Sequence, residues 1–263
     1  MMRCISYLIL PVLLLLSSTG VNAQQRTYPE DMLNYEYPYF ITVKYKGASP
    51  TIVDLVTSLL NTEGAMLMDS GDFIDAWDHY LRHEPQEPGS QIIVDEKNGY
   101  VYMESTFQDE SEGETREAKG FYEMCYWNCA DGKHKLFAMT CNSMKNGRYV
   151  EGQTTGLSTQ LYENARHIMW DVNESLIGLE VDPGTDENYE GDGKGNHYVR
   201  DRETGEPLTL NEEEFYRWLD EKPVVVYRLP REGKDIIAEI HYATRTDTVR
   251  LEWDGMKFKK VAY

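Results

Sequence analysis

Four oxygen-bearing side chains pose the first chemical question. Asp182, Asp186, Glu190 and Asp192 recur at short intervals within a 25-residue acidic stretch, Asp182 to Glu206, that also carries five glycines. Hard oxygen ligands at alternating positions are what calcium uses, and Asp186, Asn188, Glu190 and Gly191 fall at the first, third, fifth and sixth positions of a loop resembling an EF-hand. The pattern then breaks. Lys194 stands at the ninth position and His197 at the twelfth, where a bidentate glutamate belongs, and Val181-Asp182-Pro183 does not read as an entering helix. The expectation is a looser calcium loop set against a solvated one, with calcium the cofactor to test.

Cysteine and histidine supply the next constellation. Cys125, Cys129, His134 and Cys141 follow a Cys-x3-Cys-x4-His-x6-Cys spacing that superficially resembles a zinc knuckle, yet strand residues Tyr126, Trp127, Leu136, Phe137 and Met139 fill the gaps. Within one strand Cys125 and Cys129 lie about 13 Å apart at roughly 3.3 Å per residue, beyond the roughly 7 Å limit for bridged α-carbons. A two-residue turn at Asp131-Gly132 sets Cys141 opposite Tyr122 and leaves no disulfide. A longer loop, Asp131 to Lys135, sets Cys125 opposite Cys141 instead. Buried thiols are the expectation. His79 and His83 are four apart on an expected helix, but Tyr80 occupies the place where a His-Glu-x-x-His protease carries its base.

Other reaction signatures are absent from the sequence. Gly156-Leu157-Ser158-Thr159 lacks the second glycine of a nucleophile elbow, and no glycine-rich phosphate loop leads into a lysine. A glycosidase needs two spaced carboxylates, and among 45 acidic residues some pair meets that spacing by accident. The 19 tyrosines and 5 tryptophans offer stacking surfaces for sugar rings or protein partners, with half-buried strand packing as the plainer role.

What must position these groups begins after a leader. Arg3, an apolar run from Ile5 to Leu16 and the small residues Val21-Asn22-Ala23 make a signal peptide with cleavage after Ala23 the expectation. The apolar run is shorter than the roughly 20 residues of a permanent span. Removing residues 1–23 takes away Arg3 alone among charges, leaving 25 Lys plus Arg against 45 Asp plus Glu, a formal charge of −20. Such a field disfavours nucleic acid and anionic membrane surfaces and leaves cations, basic proteins and neutral ligands such as sugars.

Periodicity predicts the elements. Phe40 to Tyr45 reads as a strand; Ser49-Pro50 starts a helix with Ile52, Val53, Val56, Leu59 and Leu60 as its stripe; a second helix begins near Ser70. Hairpins are expected around Asn98-Gly99, around Asp131-Gly132 and between Leu157 and Val172, with Gln108 to Lys119 as an exposed loop. Asn211 ahead of three glutamates caps a third helix that Pro223 stops. Four strands follow between Val224 and Val261. There Asp254-Gly255 as a two-residue turn places Trp253 opposite Met256 and Leu251 opposite Phe258.

Residues 123–137, Glu-Met-Cys-Tyr-Trp-Asn-Cys-Ala-Asp-Gly-Lys-His-Lys-Leu-Phe, together with Leu229-Pro230-Arg231-Glu232-Gly233-Lys234-Asp235 and Trp253-Asp254-Gly255, carry a resemblance. The chain resembles a group of exported proteins of Gram-negative anaerobes with no assigned activity. The likeness spans most of the mature chain and implies export and a strand-rich fold. Its motifs are turn chemistry, so it supplies no active site.

The reading is an α+β fold, mostly antiparallel meanders with about three short helices, in two successive helix-plus-meander units, 24–181 and 207–263, joined by the acidic loop 182–206. The expected function is an exported, non-catalytic binding or scaffold protein with a protein or glycan ligand. A secreted glycan hydrolase using a carboxylate pair is the alternative, and a redox or metal protein built on the cysteines ranks third.

Overall fold

A computed structural model describes residues 40–61, 71–109, 116–145, 147–149, 156–183, 190–201, 204–220 and 222–261. The signal-peptide expectation and Asp186 lie outside these residues. The described chain opens with β1 (Phe40–Thr42), α1 (Ile52–Leu60) and α2 (Gly71–Leu81). A meander follows: β2 (Ser90–Asp95), β3 (Tyr100–Asp109), β4 (Arg116–Asn128), β5 (His134–Lys145), β6 (Arg148–Tyr149), β7 (Gly156–Glu163) and β8 (Ile168–Asp171). Then come β9 (Glu190–Gly191), β10 (Asn196–Arg200), β11 (Pro207–Asn211), α3 (Glu212–Asp220), β12 (Val224–Arg228), β13 (Ile236–His241), β14 (Thr246–Trp253) and β15 (Phe258–Val261).

All strand pairs are antiparallel. The largest sheet has eight strands in the order β1-β8-β7-β5-β4-β3-β2, with β6 on β5; β9 to β11 and β12 to β15 form sheets of three and four. Within the expected loop 108–119, residues 108–109 and 116–119 are strand, because β3 and β4 stay paired out to Asp109 opposite Arg116. Likewise the expected acidic loop contains β9 and β10.

α1 starts two residues later than the Ser49-Pro50 signal predicts. Thr51 is its N-cap: the Asp54 N–H donates to Thr51 Oγ1 at 3.2 Å and the Thr51 N–H donates to Asp54 Oδ2 at 2.8 Å, a capping box. Ile52, Leu55, Val56 and Leu59 are buried at i, i+3, i+4 and i+7, each contributing roughly 1.5–3 kcal/mol of apolar burial. Phe73 and Trp77 of α2 join them, and Trp77 Nε1 donates to Thr57 Oγ1 at 3.1 Å to tie the helices together. Beneath both lie Val101, Met103, Tyr122, Met124, Phe137, Met139 and Tyr162 from one face of the large sheet. α3 is capped as predicted, the Asn211 N–H bonding Glu214 Oε2 at 2.9 Å and the Glu214 N–H bonding Asn211 Oδ1 at 3.0 Å. It lies against β10 and β11, with Phe215 stacked on His197 at 3.8 Å, so α3 serves a different sheet from the strands that follow it.

The opposite face of the large sheet meets the four-stranded sheet. Trp127 is the junction: its ring sits 6.0 Å from Trp253 and 5.2 Å from Phe258, and its Nε1 donates to the Lys234 carbonyl at 2.8 Å. The β14–β15 register corrects the sequence expectation. Trp253 pairs with Phe258 and Leu251 with Lys260, because Asp254 stands before the turn instead of inside it. Its Oδ1 accepts from the Met256 and Lys257 N–H groups at 2.9 and 2.8 Å, an Asx turn, while Gly255 at φ 100 takes the next position.

Candidate functional site

The larger concavity, about 610 Å³, opens between four pieces of chain: the segment after β1 (Lys44, Tyr45, Lys46), the start of α1 (Thr51, Val53, Asp54), the end of α2 (Tyr80, Leu81, His83) and Glu96 in the β2–β3 turn. Its two aromatic walls are held in place. Tyr45 hydrogen-bonds His167 Nδ1 at 3.0 Å and meets Tyr162 edge-on at 6.4 Å. Tyr80 leans on Trp77 at 5.2 Å, and burial, with the nearby Glu96 charge, raises its phenol above the ordinary range. At the end of α2 His83 adopts φ 57, which turns the chain away from the helix. The cleft thus joins two rigid phenol rings to hydroxyl, ammonium and carboxylate groups at its rim, a mostly pre-formed arrangement for a small ligand.

Two carboxylates line this cleft, and they are not equivalent. Asp54 Oδ2 accepts from both the Thr51 N–H and Thr51 Oγ1, each at 2.8 Å, so it serves the helix cap. Glu96 remains as the carboxylate outside that cap. Lys44 and Lys46 form no ion pair among the described residues.

A second concavity of about 360 Å³ is lined by Leu157, Asn173, Glu174, Ser175, Glu180, Val181 and Tyr227. Glu174 Oε1 accepts from the Thr159 N–H at 3.2 Å and from Thr159 Oγ1 at 3.3 Å, while burial raises its carboxyl above the usual carboxylate range. Tyr227 Oη donates to the Leu179 carbonyl at 2.9 Å and accepts from the Val181 N–H at 3.3 Å.

Between the two sheets runs a polar seam. Tyr102, Glu123, Thr140 and Leu157 are successive register partners across β3, β4, β5 and β7, so they share the face toward β12. Glu123 is buried; its Oε2 accepts from the Leu229 N–H at 2.9 Å, and Tyr100 Oη reaches Oε1 at 3.4 Å. Burial raises the Glu123 carboxyl, against the lowering pull of the Leu229 N–H and the Arg228 charge. Arg228 pairs with Glu239 at 3.5 Å, bonds Tyr149 Oη and lies 5.4 Å over the Phe121 ring. Every charge here has a protein partner, which makes the seam a joint between sheets.

Of the sequence-derived site, Asp182, Glu190 and Asp192 fall among the described residues. Asp182 is exposed after Val181, the Glu190 backbone pairs with Tyr198, and Asp186 lies outside the described residues. Asp192 closes its own turn, Oδ1 accepting from the Lys194 and Asn196 N–H groups at 2.7 and 3.1 Å and Oδ2 from Asn196 Nδ2 at 2.7 Å. Those bonds hold its carboxyl below the ordinary range. Among the described residues no three His, Cys, Asp or Glu side chains converge as a metal-holding group. Cys125, Cys129 and Cys141 are thiols outside any disulfide, with Cys125 opposite Ala138 and Cys141 opposite Tyr122, the register of the shorter turn. His79 bonds the Pro85 carbonyl at 3.0 Å whereas His83 lines the cleft, so the two do not form a pair site.

The Tyr45–Tyr80 cleft escapes sequence reasoning because its walls lie on separate elements. Tyr80 reads there as part of a helix stripe and Tyr45 as the end of a strand; only the shared cleft between the segment after β1 and the end of α2 joins them. Compared with known proteins, the chain matches no protein-family description, no curated protein and no solved structure. Function therefore rests on the geometry.

Proposed function

We propose that the chain is an exported, non-catalytic binding protein, working in the periplasm or outside the cell, and that its ligand is a glycan seated in the Tyr45–Tyr80 cleft. One observation carries the reading: two anchored phenol rings bound an open 610 Å³ cleft whose second carboxylate, Asp54, is committed to a helix cap. Rings of this kind stack on the apolar faces of sugars, and hydrolysis needs a pair of available carboxylates. Export rests on residues 1–23 and on the resemblance noted above; among the described residues no helix is long and apolar enough to cross a membrane. The two helix-plus-meander units are the scaffold in this reading. Calcium stabilisation through Asp182, Asp186, Glu190 and Asp192 is a further part of the proposal, and an unchanged melting midpoint on adding calcium to chelated protein removes it.

The test is titration calorimetry of residues 24–263 against a glycan panel. Binding without release of reducing ends, weakened about tenfold or more by Tyr80→Ala, supports the reading. Glu174 favours a second one, a glycan hydrolase in the smaller pocket, since a carboxyl whose proton affinity is raised by burial, lining the same pocket as a second carboxylate, Glu180, has the character a general acid requires. Reducing ends that appear with wild type and vanish with Glu174→Gln decide for that reading.

A further inference from the structure

We infer that the cleft selects a singly charged acidic saccharide, a sugar bearing one carboxylate, with its ring against Tyr45 and Tyr80 and its carboxylate paired with Lys44 and Lys46. The inference rests on the glycan-binding reading and specifies its ligand.

The argument is local charge. The chain carries 45 acidic against 26 basic residues, so an exposed lysine has many potential partners. Lys44 and Lys46 nevertheless line one cleft together, exposed, with no ion pair among the described residues. Of the two acids lining the same cleft, Asp54 holds the α1 cap through Oδ2, at the positive end of the helix, and Glu96 lies on the Tyr80 side, close enough for its charge to act on that phenol. The two ammonium groups are therefore the cleft's uncommitted hydrogen-bond donors of full charge, and a carboxylate is the group that satisfies both.

The rest of the chain limits how much negative charge the ligand can carry. Its excess of acids acts over a Debye length of about 8 Å at physiological salt, so a carboxylate within reach of both lysines is governed by them. Further charges along a polyanion fall outside that reach and meet the acidic surface. Polyphosphate and nucleic acid are disfavoured, and a single carboxylate on an otherwise neutral sugar is favoured. The cleft volume lies in the range that encloses a small ligand, so recognition is of a short unit or chain end.

The probe is a short neutral galactose oligosaccharide ending in one galacturonate, compared by titration calorimetry with its carboxyl-reduced, neutral counterpart on residues 24–263. Expected is about tenfold tighter binding of the acid, as one charge-assisted contact provides, eroding with added salt. Lys44→Ala/Lys46→Ala should bind both sugars alike, and Lys44→Arg/Lys46→Arg should restore the preference; both lysines are exposed, and an unchanged melting midpoint confirms that the variants fold. Equal binding of the neutral sugar, abolished by Tyr80→Ala, overturns this inference and leaves the glycan-binding reading standing. No binding of either sugar overturns this inference, and silence across the whole glycan panel, or equal capture of a short peptide bearing only a C-terminal carboxylate, overturns both.

Discussion

The Leu229 N–H donates to Glu123 Oε2 at 2.9 Å, joining the start of the β12–β13 connection to the middle of the large sheet through a buried carboxyl. The bond places an ionisable group where two sheets meet, and burial keeps its proton on to higher pH than in the unfolded chain.

That raised affinity for a proton stabilises the fold at low pH and is lost as pH climbs through the raised value. Between the ordinary glutamate value of 4.5 and neutrality, wild type should lose melting midpoint relative to Glu123→Gln. Thermal melts of both proteins across that window check this. Parallel curves would show that Glu123 titrates as it does in water.

Thiol titration of unreduced, denatured protein tests the strand register. Residues 24–263 should give three reactive groups, Cys125, Cys129 and Cys141. One group would mean a disulfide, and with it the longer loop that sets Cys125 against Cys141.

Thr51→Ala removes the Oγ1 acceptor of the α1 capping box. A loss of about 1 kcal/mol is expected, read as a lower denaturant midpoint at constant slope. Loss of slope as well would indicate that α1 frays independently of the sheet.

Gly178 and Gly132 both have positive φ, 78 and 66, but differ in surroundings. A Cβ on Gly178 would collide with the Phe258 carbonyl oxygen, whereas one on Gly132 would meet nothing within 4 Å. Gly132→Ala should therefore show only the roughly 1–2 kcal/mol of left-handed backbone strain, and Gly178→Ala a clearly larger loss. Similar midpoints for the two variants would contradict the contact between the 175–179 turn and β15.

Two Asp-Gly pairs show how far residues alone determine register. At Asp131-Gly132 the dipeptide lies at the centre of its turn, so counting outward gives Tyr122 opposite Cys141, as found. At Asp254-Gly255 the same dipeptide sits one step earlier, and pairing shifts by two residues. The cause is tertiary: the Ala130 N–H donates to the Gly255 carbonyl at 2.9 Å, and the Asp254 carboxylate gathers the next two N–H groups. An even shift preserves which face each side chain takes, so Trp253 and Phe258 still point inward. The α3 cap is legible because Asn211 is followed directly by three glutamates. Between Ser49 and Thr51 the proline rule chose the wrong start, because Asp54 completes a box only with Thr51. The cleft was not legible, since Lys44, Tyr80 and Glu96 meet only through packing of separate elements.

Trp127 finds its backbone partner Lys234 107 residues further along the chain, and its ring partners Trp253 and Phe258 lie further still. Contacts of such long sequence separation form late and slowly. A polypeptide whose inter-sheet junction waits on the β14–β15 hairpin stays threadable while it is being synthesised, the condition a translocation channel imposes on the exported role proposed above.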